Sequence, residues 1–556
     1  ATGRGGAAAT VDALATQAAV RALRGGADAV DAAVVAAAVL GVTEPYSCGI
    51  GGGGFMVLYR AGDRRVRTVD SREAAPDGFG PRSLLDPAGR PLPFAEAVTS
   101  GLSVGVPGTV RGWDEALRRF GTYDLARALR PAIRIARRGF AVDPTFAEQT
   151  RTNLERFAAF TSTRRLFLER DGTEPDPGDV LRNPDLARTY RRIARRGVQG
   201  FYTGSVARAI VDTVRRPPVV PGTTRTVRPG AMSTGDLADY DAQVRRPTRV
   251  GYRDVDVFGM APPSSGGATV GEALNVLEAF DLRALGREPA LHRFLEASRL
   301  AFADRNAYVG DPEYVDVPLA GLLSESFAGE RRALIGERAL PSPQRPGNPY
   351  DDQDDPSPSG PPVAGASLAR SGSTTHLTVS DRRGNVVAYT FTIEQTGGSG
   401  IVVPGHGFLL NNELTDFEFT PPAPNAPEGG KRPRSSIAPT IVLRGGRPVL
   451  AVGSPGGATI ITTVLQVLVE RLDLGRSLPD AIAAPRASQR NGPTTQAEAA
   501  FIASPEGQAL AARGHQFAAT PEIGAATGIE LLPDGRVVAA AEPQRRGGGA
   551  AAVERR

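Results

Sequence analysis

Apolar residues recur with a helical period in TVDALATQAAVRALR, residues 10–24, where Thr10 is placed to cap a helix and Gly25-Gly26 to stop it. A second, alanine-rich segment from about Val30 to Leu40 is apolar on nearly every side, which predicts a deeply buried helix. GIGGGGFMVLY then reads as a Gly-rich turn entering a strand, with VRTVD as its hairpin partner. The glycine run lacks the Lys-Ser/Thr of a phosphate loop and leads into a strand, so close backbone packing is the expected use. Residues from about 110 to 335 are mostly helical in pattern, with strand-like breaks in RVGYRDVDVFG at 249–259. The segment 341–370 is dense in Pro, Gly, Ser and Asp and nearly free of large apolar side chains, so mobility is expected there. The tail QRRGGGAAAVERR is expected to fray.

The alternation is strictest after that segment. THLTVSD and NVVAYTFTI flank Arg382-Arg383-Gly384, and a three-residue loop ending in Gly suits a type I turn with a left-handed bulge. Such a loop pairs 381 with 385. Thus 379 meets 387, 377 meets 389 and 375 meets 391, which makes an apolar face. On the other face 378 meets 388, 376 meets 390 and 374 meets 392. Thr374 and Thr392 therefore lie opposite each other at the open end of the hairpin.

Two readings of that pair stand side by side. Threonine is β-branched and simply suits strands. Alternatively, a cut before Thr374 would turn its hydroxyl into a nucleophile and its new α-amine into the adjacent base. An α-amine titrates near pH 8, so it can take a proton that a lone hydroxyl cannot lose.

Composition narrows the alternatives. The 556 residues carry a net charge of only +5. The basic residues are almost all arginine, and pairs such as Arg195-Arg196 and Arg331-Arg332 read as solvated helix faces. No nucleic-acid-binding signature is present. The single cysteine, Cys48, excludes an internal disulfide. His292, His376, His406 and His515 show no metal-ligand spacing, so no metal or organic cofactor is expected. VDAAVVAAAVLGV carries Asp31 and is too short to span a membrane. The chain begins at Ala1 rather than Met, which is consistent with a removed leader.

A series of further motifs runs in order along the chain. They are VDALATQAAV, GIGGGGFM, DSREAAP, SGLSVGVPGTVRGW, APPSSGG, FADRNAYVGDPEYVDVP, STTHLTVSDRRGNVVAYT, GFLLNNELTDF, KRPRSSIAPT and GSPGGATIITTVLQ. Together they resemble the γ-glutamyltranspeptidase family, within the N-terminal-nucleophile hydrolase superfamily. The resemblance implies an α+β fold, a four-layer αββα sandwich, made as one precursor that cuts itself between Ser373 and Thr374. Residues 1–373, ending in the mobile linker 341–373, would form the large subunit and 374–556 the small one, held as a heterodimer.

Carried to this sequence, the resemblance implies Thr374 as nucleophile and Thr392 as its hydrogen-bonding partner. Gly456 and Gly457 would form the oxyanion hole, where the absence of a Cβ lets backbone N–H groups approach. Arg72, Ser435 and Ser436 would receive the donor's α-carboxylate, a planar anion that suits a guanidinium fork. Glu413 and Asp416 would receive its α-ammonium. The implied donor is a γ-glutamyl small molecule or peptide, and the acceptor is water or the amine of an amino acid or peptide. A secreted or cell-envelope location is also implied, without excluding the cytoplasm.

Two departures bear on specificity. Glu394 stands where the family usually has Asn, adding a carboxylate beside the ammonium site. The stretch between Asp416 and Lys431 is short and has no Tyr, so the site is expected to lack the family's aromatic lid and to favour hydrolysis. Rival readings are a glutaryl or secondary-metabolite acylase on the same fold, and an uncleaved, non-catalytic relative. A Ser-His-Asp hydrolase lacks support because no GxSxG elbow is present. The Thr374 assignment predicts that Thr374→Ala yields one uncut, inactive chain on a denaturing gel. Two native subunits in that variant would overturn it.

Overall fold

The structure is a computed structural model, and it describes residues 1–352 and 372–554. Two sheets stack face to face between layers of helices. The strands, in chain order, are β1 Thr2–Gly3, β2 Ala7–Thr10, β3 Gly53–Arg60, β4 Arg65–Asp70, β5 Thr248–Tyr252, β6 Val255–Gly259, β7 Thr374–Ser380, β8 Val386–Thr392, β9 Thr440–Arg444, β10 Arg447–Gly453, β11 Thr527–Leu531, β12 Val537–Ala541 and β13 Ala550–Val553. One sheet has the order β13-β2-β7-β8-β3-β4, the other β1-β12-β11-β10-β9-β6-β5. Helices α1 (Ala13–Arg24) and α2 (Ala29–Thr43) cover the first sheet. Helices α3 (Gly266–Glu278), α4 (Arg287–Tyr308) and α5 (Thr459–Leu472) belong to the layer over the second.

The hairpin β7–β8 has the register that its turn predicts, with Thr374 opposite Thr392 and Val379 opposite Val387. Its apolar face, Leu377, Val379, Val387, Tyr389 and Phe391, joins the core under α1 and α2. Its Thr/His face points at the second sheet. There His376 bonds Thr390 at 2.6 Å and Thr378 at 3.1 Å, and a Cβ on Gly453 would strike its ring. Burial without any acid nearby pushes the His376 imidazole down to about 3, so it stays neutral.

Each sheet is built from strands on both sides of the Ser373–Thr374 bond. In the first sheet, β2 and β3 flank the hairpin on either edge. A cut at that bond would leave two interlocked chains rather than two separable domains.

The glycine run packs backbone against backbone. A Cβ on Gly51 would meet the Leu409 carbonyl, on Gly52 the Thr392 carbonyl and on Gly53 the Ser71 carbonyl. Helix α2 is buried along its whole length, and its one acid, Asp31, closes a capping box with Asp28 while accepting from Thr122 and Tyr123.

Four expectations change. Helix α1 is capped by Asp12, whose carboxylate accepts from Ala15 N–H, because Thr10 is taken into β2. Arg331 is buried against Asp304 at 2.9 Å rather than solvated, since the following loop folds back over it. The tail does not fray up to residue 554. Its small Ala side chains pair with Ala7–Thr10 as β13, and Glu554 is buried accepting from Gly6 N–H. Residues 341–352 are pinned by Gln344 N–H to Asn491 at 2.6 Å and by the buried Pro349 and Tyr350. The rest of the segment expected to be mobile, 353–371, lies outside the described residues.

Gly52 touches the strand end that carries Thr392, so Gly52→Ala should cost about 3 kcal/mol and impair cleavage of the precursor. Urea unfolding and gel analysis of the purified variant would check both, and wild-type values would contradict the packing reading.

Candidate active site

A single hydroxyl organises the centre. Thr392 Oγ1 donates to the Ser373 carbonyl at 2.6 Å, accepts from Thr374 Oγ1 at 3.2 Å and accepts from Glu394 N–H at 2.9 Å. All of its hydrogen-bonding capacity is thereby used. Ser373 N–H is held in turn by the Glu394 carbonyl at 2.5 Å. On the far side, Arg546 donates to the Thr374 carbonyl at 2.6 Å and to the hydroxyls of Ser47 and Ser373 at 2.7 and 3.1 Å. The Ser373–Thr374 peptide is thus fixed on both faces, and Thr392 polarises its carbonyl.

A cavity of about 520 Å³ opens beside Thr374 and Thr392. It brings together Arg72, Glu394, Glu413, Asp416, Ser435, Ser436 and Gly457 among its lining residues. Gly456 lies across the scissile segment instead, in a second cavity with Ser373. Both glycines have positive φ, +135° and +57°, and precede α5. Their N–H groups donate no hydrogen bond among the described residues.

The charged residues sort into two ends. At one, Glu394 Oε2 accepts from Asn412 at 2.5 Å, with Glu413 and Asp416 nearby. Burial, with Asp416 and Glu413 close by, pushes the Glu394 carboxyl up to about 8. Burial also raises Glu413 well above the usual carboxylate range, against the opposing pull of Arg72. Glu394 sits at φ +78°, in the left-handed region that an Asn tolerates better than a Glu.

At the other end Ser436 accepts from Arg305 at 2.7 Å, and Ser435 is fixed by backbone bonds to Pro263 and Ser265. Arg305 is a buried cation whose guanidinium donates to Ser265, Ser436 and Asn306 and lies over the Phe302 ring, and burial, with Arg434 nearby, pushes it well below its ordinary range against the pull of Asp416 and Glu418. It stands within the FADRN motif, but no local pattern marks it as site-lining. The tertiary path of α4 places it there.

Arg72 differs most from its expected state. Its guanidinium already bonds Glu413 and, at 2.6 Å, Asp416, so the fork expected for a ligand carboxylate is closed by the site's own acids. The stretch after Asp416 has no Tyr, yet Phe417 and Phe419 line the cavity, with Phe417 stacked on Phe79.

A sequence profile of the gamma-glutamyltranspeptidase family matches residues 15–552. The chain belongs to the γ-glutamyltranspeptidase family. It is 40% identical over 486 residues to a glutathione hydrolase proenzyme of Bacillus subtilis (strain 168), covering 87% of this chain and 80% of that one. It is 35% identical over 552 residues to an acylase ACY 1 proenzyme of Pseudomonas sp. (strain V22), covering 97% and 92%. A crystal structure of cephalosporin acylase from Bacillus halodurans superposes with a TM-score of 0.86 at 29% identity, over 99% of this chain and 96% of that one. The αββα architecture is that of this family, whose members mature from proenzymes, and the protein is an enzyme of it.

Elsewhere, α4 brings His292 and Glu296 beside His515, all buried, which spacing in the sequence could not reveal. His292 Nδ1 and His515 Nε2 share a hydrogen bond at 2.8 Å, and Glu296 is taken by Arg299. Burial, the His292 ring and the guanidiniums of Arg299 and Arg513 push His515 down to about 3. His515 Nδ1 is left without a hydrogen-bond partner, 3.7 Å from Glu296, and the surrounding positive charge opposes a metal cation. Among the described residues, no helix is long and apolar enough to cross a membrane.

Because the folded chain retains the Glu394 proton between about pH 4.5 and 8 and the unfolded chain does not, raising pH through that window favours unfolding. In a Thr374→Ala background, Glu394→Gln should therefore gain stability over Glu394 as pH rises from 5 to 8. Urea unfolding at several pH values measures this, and a pH-independent gap would contradict it.

Proposed function

We propose that the site cleaves γ-glutamyl amides through an ester on Thr374 Oγ and passes the acyl group to water or to the amine of an amino acid or peptide. The observation that carries the reading is the Thr374 hydroxyl donating to Thr392, which donates to the Ser373 carbonyl, beside a cavity lined by both carboxylates and guanidiniums.

In maturation, Thr374 Oγ attacks the Ser373 carbonyl carbon, the C–N bond breaks as the ester forms, and water hydrolyses that ester. The carbonyl already accepts from Thr392, which favours the attack. The freed α-amine of Thr374 then serves as base. In catalysis Thr374 Oγ attacks the donor's γ-carbonyl, and the N–H groups of Gly456 and Gly457 receive the oxyanion.

The cavity's charges match a zwitterion. Arg72 and Asp416 are paired at 2.6 Å. A γ-glutamyl group would enter between them, its α-carboxylate taking Arg72, Arg305 and Ser436, with Ser435 beside them, and its α-ammonium taking Asp416, Glu413 and Glu394. Asp416 is the most exposed of these acids, with 28% of its side chain accessible, so its turn toward the ligand is the least obstructed. An ammonium also draws Glu394 into its ionised form, which burial alone disfavours. A secreted or envelope location belongs to the same proposal.

The decisive comparison is between γ-glutamyl-anilide and glutaryl-anilide, which lacks the ammonium. The zwitterion reading predicts at least a tenfold higher kcat/KM for the γ-glutamyl compound. Equal or better turnover of the glutaryl compound would favour the acylase reading suggested by the acylase relatives.

A further inference from the structure

The donor cavity has a neighbour. A second cavity, of about 780 Å³, lies on the other side of the scissile segment. Gly372 lines both, Ser373 and Gly456 line the second, and Gly457 lines the first. The residues just before the cut therefore form a partition. Thr374 lines the first cavity and Ser373 the second, so a cut between them would put the new α-amine at the boundary, and an acyl carbonyl held between Gly456 and Gly457 would stand between the two spaces.

The second cavity carries an uncompensated cation. Arg490 donates to Gln496 at 2.6 Å, while its buried Nε has no hydrogen-bond partner among the described residues. Burial alone pushes its guanidinium down to about 10, with no carboxylate near enough to offset it. Neighbouring buried arginines are treated differently: Arg486 pairs with Glu542, and Arg545 with Glu498 and Glu542. The acids of the same cavity are otherwise engaged. Glu148 is held by Arg151, and Glu522 accepts from the Arg546 backbone N–H. Arg546 spends its guanidinium on Thr374, Ser47 and Ser373. A half-buried guanidinium with an unpartnered Nε and no carboxylate close by, facing a cavity, calls for an anion from outside.

We propose that this second cavity is the subsite for the leaving and accepting amine, and that Arg490 binds the carboxylate of that amine, selecting free amino acids and peptides over uncharged amines. The proposal rests on the γ-glutamyl reading above. In transfer, the amine nitrogen forms a bond to the acyl carbon and the bond from that carbon to Thr374 Oγ breaks. The nitrogen's proton passes through the Thr374 α-amine to Oγ. The leaving amine of the first half-reaction occupies the same place in reverse, so one subsite serves both steps.

The test compares γ-glutamyl-glycine with γ-glutamyl-glycinamide as donors for the matured enzyme, since the two differ only in the distal carboxylate. The wild type should show at least a tenfold higher kcat/KM for the carboxylated donor. Arg490→Ala should bring that ratio to near one, and Arg490→Lys should retain part of it. A two-chain pattern on a denaturing gel reports that each variant has folded and matured. Should Arg490→Ala not mature, Arg490→Gln gives the same readout. A wild-type ratio near one, or a ratio unchanged on removing the guanidinium, overturns the subsite. Failure of the wild type to cleave either donor refutes the γ-glutamyl reading itself, and the subsite with it.

Discussion

The hydroxyl of Thr392 has one hydrogen, and its direction fixes the site. That hydrogen goes to the Ser373 carbonyl, so the oxygen is left to accept from Thr374 and from Glu394 N–H. Thr374 and Thr392 must then stand directly across a strand pair, which requires the turn at 382–384 to set the register. The strand must also meet β3 with no side chain between the backbones, and the glycines at 51–54 provide that. The Thr/His face can be buried because it lies between two sheets, where His376 finds two threonine hydroxyls. A slip of one residue in this hairpin would send Thr374 to the helix side and dissolve the arrangement.

Around this centre the charges are arranged for an occupant. In the cavity beside Thr374 the Arg72 guanidinium is paired with Glu413 and Asp416, and Glu394 and Glu413 are pushed toward their neutral forms. A zwitterion would restore the ionised states at both ends. Gly372 and Ser373 lie between this cavity and the one that holds Arg490, so the proposed cleavage would both make the base and join the two spaces.

What could be read from the sequence was mostly local. The hairpin register followed from period two and a Gly-terminated turn, and the glycine run's packing role followed from its position before a strand. Thr374 and Thr392 needed only that register to become neighbours. Contacts closed by the tertiary path were invisible. Arg305 and Arg490 resemble many other arginines in the chain until the fold sets them on the cavities with no ion pair among the described residues. Arg331 looked like half of a surface pair until Asp304 was seen beneath it. The tail was expected to fray as a chain end, yet its small side chains are what allow it to pair closely with β2 and bring Arg546 to the Thr374 carbonyl. The ordered motifs pointed to Arg72, which lines the cavity, but could not show that its guanidinium rests on Glu413 and Asp416.

The central claim is that the cut chain begins at Thr374 and carries the acyl group on that residue. Rapid acid quench of the matured enzyme during turnover of a γ-glutamyl-anilide, followed by intact-mass and peptide mass spectrometry, tests this directly. The account predicts a small chain with Thr374 as its first residue and a γ-glutamyl adduct on the peptide that begins there. A different first residue, or an adduct on another peptide, would contradict it.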